Sequence, residues 1–134
     1  MADAVTATTV EDGPKKAVFY CTNTSDGTGE SAVTKVDVSA LSSLQDGTAC
    51  SGVRIEKIVF TNVGMGVKIL WNASTNVIAA QLPADYSDTL EYSDISGLPN
   101  VAASGGKTGD IKFTTVGHSS GDTYSIVLHC LKQY

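Results

Sequence analysis

The chain has 134 residues, about one domain, and 42% of them are hydrophobic, enough for a real core. Nine Lys and Arg face fourteen Asp and Glu, giving a formal charge of -5 and a sequence pI near 4.7. Such an acidic surface repels phosphate backbones, so no nucleic-acid partner is expected. No apolar run approaches the ~20 residues of a membrane helix, so no membrane partner is expected either.

The first sixteen residues, MADAVTATTVEDGPKK, are small and polar and end beside Gly13-Pro14. They read as an extended N-terminal arm outside a single β domain of residues 17–134. No charged segment followed by an apolar one marks a signal peptide. AVFYC then opens the folded part with β-branched and aromatic residues. TNTSDGTGE is a loop of turn formers. SAVTKVDVSAL alternates with period two, Thr34, Val36 and Val38 on one side and Val33, Lys35 and Asp37 on the other, as in a half-buried strand.

VRIEKIVFTN and VKILWNA are two strong strands, and the Gly64-Met65-Gly66 between them reads as a hairpin turn. A turn at residues 72–76 leads into VIAAQLP, which should end at Pro83 because proline cannot donate to a ladder. DTLEYS reads as a short edge strand. Residues 95–109 form a long Gly/Ser/Ala loop of the kind a partner orders. DIKFTTV and TYSIVLHCL close the chain as strands. In the last, Tyr124, Ile126, Leu128 and Cys130 share the core side, and His129 lies on the other. About eight short strands without an amphipathic helix predict an all-β protein, an antiparallel β-sandwich or jelly-roll-like barrel.

Cys21, Cys50 and Cys130 are odd in number and lack metal-type spacing, so they read as small buried hydrophobes; a Cys21–Cys130 bridge stays open. The sequons at Asn23 and Asn72 read as chance matches. His118, Ser119, Ser120 and Asp122 raise the question of a hydrolase. Neighbours on one short turn rarely converge as nucleophile, base and orienter, so GHSSGD reads as a hairpin turn. Asp85, Asp88, Glu91 and Asp94 lack a calcium-loop pattern and read as a solvated edge. Trp71 shares a face with Val67 and Ile69 and reads as core. No catalytic, cofactor or metal residues are therefore expected, and the chain is not expected to be an enzyme.

From about Val53 to Leu131, three segments carry a resemblance: RIEKIVFTNVGMGVKILWNAST, VIAAQLPADYSDTLEYSDISGLPN and TGDIKFTTVGHSSGDTYSIVL. In their order the chain resembles small β-sandwich virion structural proteins of tailed bacteriophages, over about 60% of its length. The resemblance implies a virion β-sandwich and no active-site residues. The expectation is a capsid decoration or cement protein on the head exterior, in a virion assembled in the host cytoplasm. Its partners would be the major capsid protein and other copies of itself. The alternatives are a neck or tail component, such as an adaptor or tube-associated protein, or a carbohydrate-binding attachment module. The expected assembly contacts are Val5, Val10, Glu11, Lys15 and Lys16 in the arm, and Leu98 and Asn100 in the long loop.

Overall fold

The computed structural model describes residues 4–43, 46–73, 76–95, 97–98 and 109–133. Its strands are β1 (Ala4–Asp12), β2 (Lys16–Thr24), β3 (Val33–Val36), β4 (Gly52–Val63), β5 (Gly66–Trp71), β6 (Val77–Leu82), β7 (Tyr86–Glu91), β8 (Ile111–Val116) and β9 (Thr123–Gln133). Two antiparallel sheets result, ordered β1-β2-β9-β4-β7 and β3-β8-β5-β6. The protein is all-β, as its alternating segments predict, and the two sheets enclose one core.

The order is that of a jelly roll. β2 pairs with β9, β3 with β8, β4 with β7 and β5 with β6. The pairs nest like the two arms of one long hairpin with its tip at β5–β6. Rolling that hairpin adds the β4–β9 and β5–β8 ladders and closes the sandwich. β1 is a ninth strand, laid antiparallel on β2 from Ala4↔Thr24 to Asp12↔Ala17. The segment read as an arm is thus extended and paired within the sheet.

Among the described strands, only β1–β2 and β5–β6 are hairpins inside one sheet; every other consecutive pair is divided between the two. Two expected hairpin turns are corrected by this. Gly64–Gly66 carries the chain from β4 to β5, and Gly117–Asp122 carries it from β8 to β9, each from one sheet to the other. Local sequence announces a tight turn; it does not announce which sheet the next strand joins. At Gly64 the backbone has φ +84°, and a Cβ there would lie 2.1 Å from an Asp122 carboxylate oxygen, so the crossing requires glycine.

The strand expected through SAVTKVDVSAL is shorter than its alternation suggests. β3 stops at Val36, a register shift falls between Thr34 and Val36, and a 3-10 turn follows at Val38–Ala40. The shift turns Lys35 inward beside Val36, so both are buried. β6 ends before Pro83, as expected, and β7 forms the far edge of the larger sheet. Of the loop expected at 95–109, residues 96 and 99–108 lie outside the described residues.

The core is built from the inner faces of both sheets. β9 contributes Tyr124, Ile126, Leu128 and Cys130, as its alternation predicts, and β5 contributes Val67, Ile69 and Trp71. Cys21, Cys50 and Cys130 are free thiols and all buried, which removes the bridge left open above. Trp71 is fully buried, and its indole N–H has no hydrogen-bond partner among the described residues. Its contribution is therefore packing. Trp71→Ala should lower the unfolding free energy by about 3–5 kcal/mol in a urea titration. Native fluorescence of the parent should report an indole shielded from water, shifting red only on unfolding.

Candidate assembly surface

β1 overhangs the sandwich. Residues 5–11 are exposed on both faces of the strand, although Ala7 and Thr9 pair with the buried Cys21 and Phe19. Its inner face thus continues the core side of the sheet past the edge of the smaller sheet. Val5 is 41% exposed and Val10 61% exposed, the latter at the register shift between Thr9 and Glu11. The outer edge of β1 carries no further strand among the described residues.

The expected contacts divide accordingly. Val5, Val10, Glu11, Lys15 and Lys16 all lie on the β1–β2 hairpin, Val5 at its open end opposite Asn23 and the other four at or near its turn. Glu11 and Lys15 are exposed, and the Lys16 ammonium lies 3.5 Å from Glu56. Leu98 is elsewhere: it bridges to Ile55 on β4 through two backbone hydrogen bonds and packs against the core. Asn100 lies outside the described residues.

The two outer edges of the larger sheet are treated differently. β7 presents Asp88 and Glu91, charges that discourage a further strand. β1 has no charged residue from Ala4 to Val10. A stretch of Val, Thr and Ala with free N–H and C=O groups can accept one.

A buried ammonium fastens the β1–β2 hairpin to the body. Lys132, on the core side of β9, donates to the Asp12 carboxylate, to the Gly13 carbonyl (2.9 Å), and to the carbonyl (3.0 Å) and hydroxyl (3.1 Å) of Ser42. Its side chain is 0% exposed. Asp12 in turn accepts from the Ser42 N–H and hydroxyl. Partial burial pushes the Asp12 carboxyl up, but the hydrogen bonds from Lys132 and Ser42 outweigh it and hold the group below its ordinary value.

At the other end of β9 lies a second buried polar cluster, which the sequence did not reveal. Glu30 accepts from the Asn23 amide (2.8 Å) and the Tyr124 hydroxyl, and its second oxygen pairs with Lys35. Burial and the Glu30 carboxylate hold the Tyr124 phenol well above the tyrosine range, so it stays protonated and donates. Asn23 is 2% exposed, so its sequon is not available as an acceptor site. The signal was faint: a lone glutamate at the end of a turn-rich loop, and a lysine displaced inward by a bulge.

His118, Ser119, Ser120 and Asp122 do not form a triad. His118 Nδ1 lies 3.1 Å from the Thr115 hydroxyl, while its ring covers the α-carbon of Gly29. Asp122 accepts from the Ser119 backbone N–H at 2.8 Å. The loop's backbone clasps the β2–β3 loop, through Ser25 N–H to the Asp122 carbonyl and Gly121 N–H to the Ser25 carbonyl. Burial pushes the Cys21 thiol up to about 11, far from the thiolate form a nucleophile needs. A cleft of about 530 Å³ beside Gly66, Lys68, Leu82, Pro83 and Val116 has no carboxylate, histidine or cysteine among its lining residues. Among the described residues no three His, Cys, Asp or Glu side chains gather as metal ligands. No family model matches the chain, and no curated protein or solved structure matches it.

Two outcomes follow from these contacts. The depressed Asp12 value means that its carboxylate form favours the folded state. That contribution is complete above the unfolded value, about 3.9, and is lost as the pH falls through the lower folded value. Hydrogen exchange corrected for intrinsic rates should show β1 amides losing protection below about pH 4 before those of β9, and Asp12→Asn should abolish the step. In the crossing loop, Ser119→Ala and Ser120→Ala should each change stability by less than about 0.5 kcal/mol. Asp122→Ala, which removes the acceptor of the Ser119 N–H, should lower it by about 1–3 kcal/mol in the same urea titration.

Proposed function

We propose that the chain is a structural protein of a tailed-bacteriophage virion, a decoration or cement protein on the head exterior. Its partners would be the major capsid protein and other copies of itself. The resemblance of residues 53–131 to small phage virion proteins supports this reading. So does the architecture: jelly rolls recur in viral capsid domains, although a fold alone does not carry a function.

The observation that carries the proposal is the β1 edge. It is uncharged from Ala4 to Val10, open along its outer side, and uncovered on its inner face. A strand of a neighbouring subunit can extend the sheet there, with backbone hydrogen bonds for affinity and Val5, Ala7 and Val10 for apolar contact. Glu11, Lys15 and Lys16 at the closed end of the hairpin set the register. Weak single contacts suffice, because a shell presents many sites at once.

The test uses undecorated heads mixed with the purified chain. Val5→Lys and Val10→Lys alter exposed side chains, so folding should change by less than about 0.5 kcal/mol. The double variant should lose at least about tenfold in apparent affinity for heads, the equivalent of 1.4 kcal/mol. Full occupancy by the folded double variant would overturn the edge mechanism. Labelled parent protein found only at the neck or tail of intact particles would overturn the placement on the head.

A further inference from the structure

We propose that Lys35 and Asn23 become joined by an intramolecular isopeptide bond, with Glu30 as the acid–base that forms it. The three side chains lie between the sheets, with Asn23 2%, Glu30 7% and Lys35 8% exposed. One carboxylate holds both reactants: Lys35 Nζ on Oε2 at 2.5 Å and Asn23 Nδ2 on Oε1 at 2.8 Å. Charge balance accounts for a lysine beside a glutamate. It does not call for a carboxamide on the other oxygen of the same carboxylate, and that amide is the electrophile a lysine amine can use.

Each reactant is held by a different part of the fold. Asn23 stands on β2 in the larger sheet and Lys35 on β3 in the smaller. Glu30 is pinned at its backbone, its N–H to the Thr115 hydroxyl (2.8 Å) and its carbonyl to the Thr115 N–H (3.0 Å). Phe113 and Tyr124 wall the cluster edge to face, and Lys35 Nζ lies 6.0 Å from the centre of the Phe113 ring. Fixed reactants in a water-excluded site react as though at very high concentration, and hydrolysis does not compete.

The step balances without any co-reactant. Glu30 takes a proton from the Lys35 ammonium, leaving a neutral amine that attacks Asn23 Cγ. The Nζ–Cγ bond forms and the Cγ–Nδ2 bond breaks. A second Nζ proton reaches Nδ2 with the carboxyl group as relay, and Nδ2 departs as ammonia. Glu30 keeps the first proton. A buried ion pair is thereby replaced by a neutral amide and a neutral acid, and the loss of ammonia to solvent makes the change irreversible. The product ties the two sheets together through residues 23 and 35.

The experiment is a denaturing mass measurement and tryptic map of the purified full-length chain. The intact chain should be lighter than its sequence by one ammonia, about 17 Da. Trypsin cannot cut after an acylated lysine. The peptide of residues 17–35 should therefore disappear, replaced by residues 17–54 carrying the same deficit. Glu30→Gln should restore the full mass and the cut after Lys35. A parent chain of full sequence mass after prolonged incubation would overturn the proposal. An ammonia loss with Lys35 still cleaved, as a succinimide would give, overturns it equally. The parent map decides the matter even if the variant folds poorly, and a cross-linked Glu30→Gln chain would remove the role given to Glu30.

Discussion

A charged side chain between two β-sheets must be met by partners there, because an unpaired buried charge is too unfavourable to persist. β9 brings this constraint to both ends of the sandwich. Its core side begins with Tyr124, which donates to a carboxylate already paired with Lys35, and ends with Lys132, which needs Asp12 and Ser42. Between them run Ile126, Leu128 and Cys130, fully apolar. The strand is thus fixed along its axis: a slip of two residues would keep the pleat but strand both polar ends among hydrocarbon. Removing one partner from such a pair typically destabilises by about 3–5 kcal/mol.

The two polar ends also hold segments outside the strands. Lys132 gathers the β1–β2 turn and the segment after the 3-10 turn at Val38–Ala40. Glu30 gathers the β2–β3 loop, β3 and β8. Thr114 and Thr115 accept from the N–H groups of Ala32 and Glu30, so even the strained residue Ala32, at φ 49°, is held by β8. The backbone groups of these crossings have no ladder to join, and side-chain oxygens replace it.

The rolled topology has a second consequence. Each nested pair except β5–β6 joins segments far apart in sequence, and such pairings close slowly because loop entropy is lost before contacts form. It also leaves the sheets with edges. At β7 charge guards the edge, whereas β1 offers an unguarded one that has grown beyond the core. An edge left open beside one that is protected is the physical basis for reading β1 as a surface that meets another subunit.

The sequence by itself determined the local pattern. Period-two alternation in VKILWNA and TYSIVLHCL gave strands with the observed buried faces, Trp71 among them, and Pro83 marked a strand end, because strand faces and proline geometry depend on near neighbours. In VRIEKIVFTN the strand was legible, but a bulge between Ile55 and Lys57 moves the buried side from Val53 and Ile55 to Ile58 and Phe60. About eight such segments without an amphipathic helix also argued for an all-β protein. Tertiary structure alone decided which sheet each strand joins, so two apparent hairpin turns, at Gly64–Gly66 and Gly117–Asp122, became crossings. It decided that residues 4–12 pair with β2 as a strand. It alone assembled Asn23, Glu30, Lys35 and Tyr124, whose positions lie up to 101 residues apart and whose meeting depends on a bulge in β3 and the return of β9. Periodicity reports which way a side chain points along its own strand; it holds no information about what the rolled sheet will place opposite.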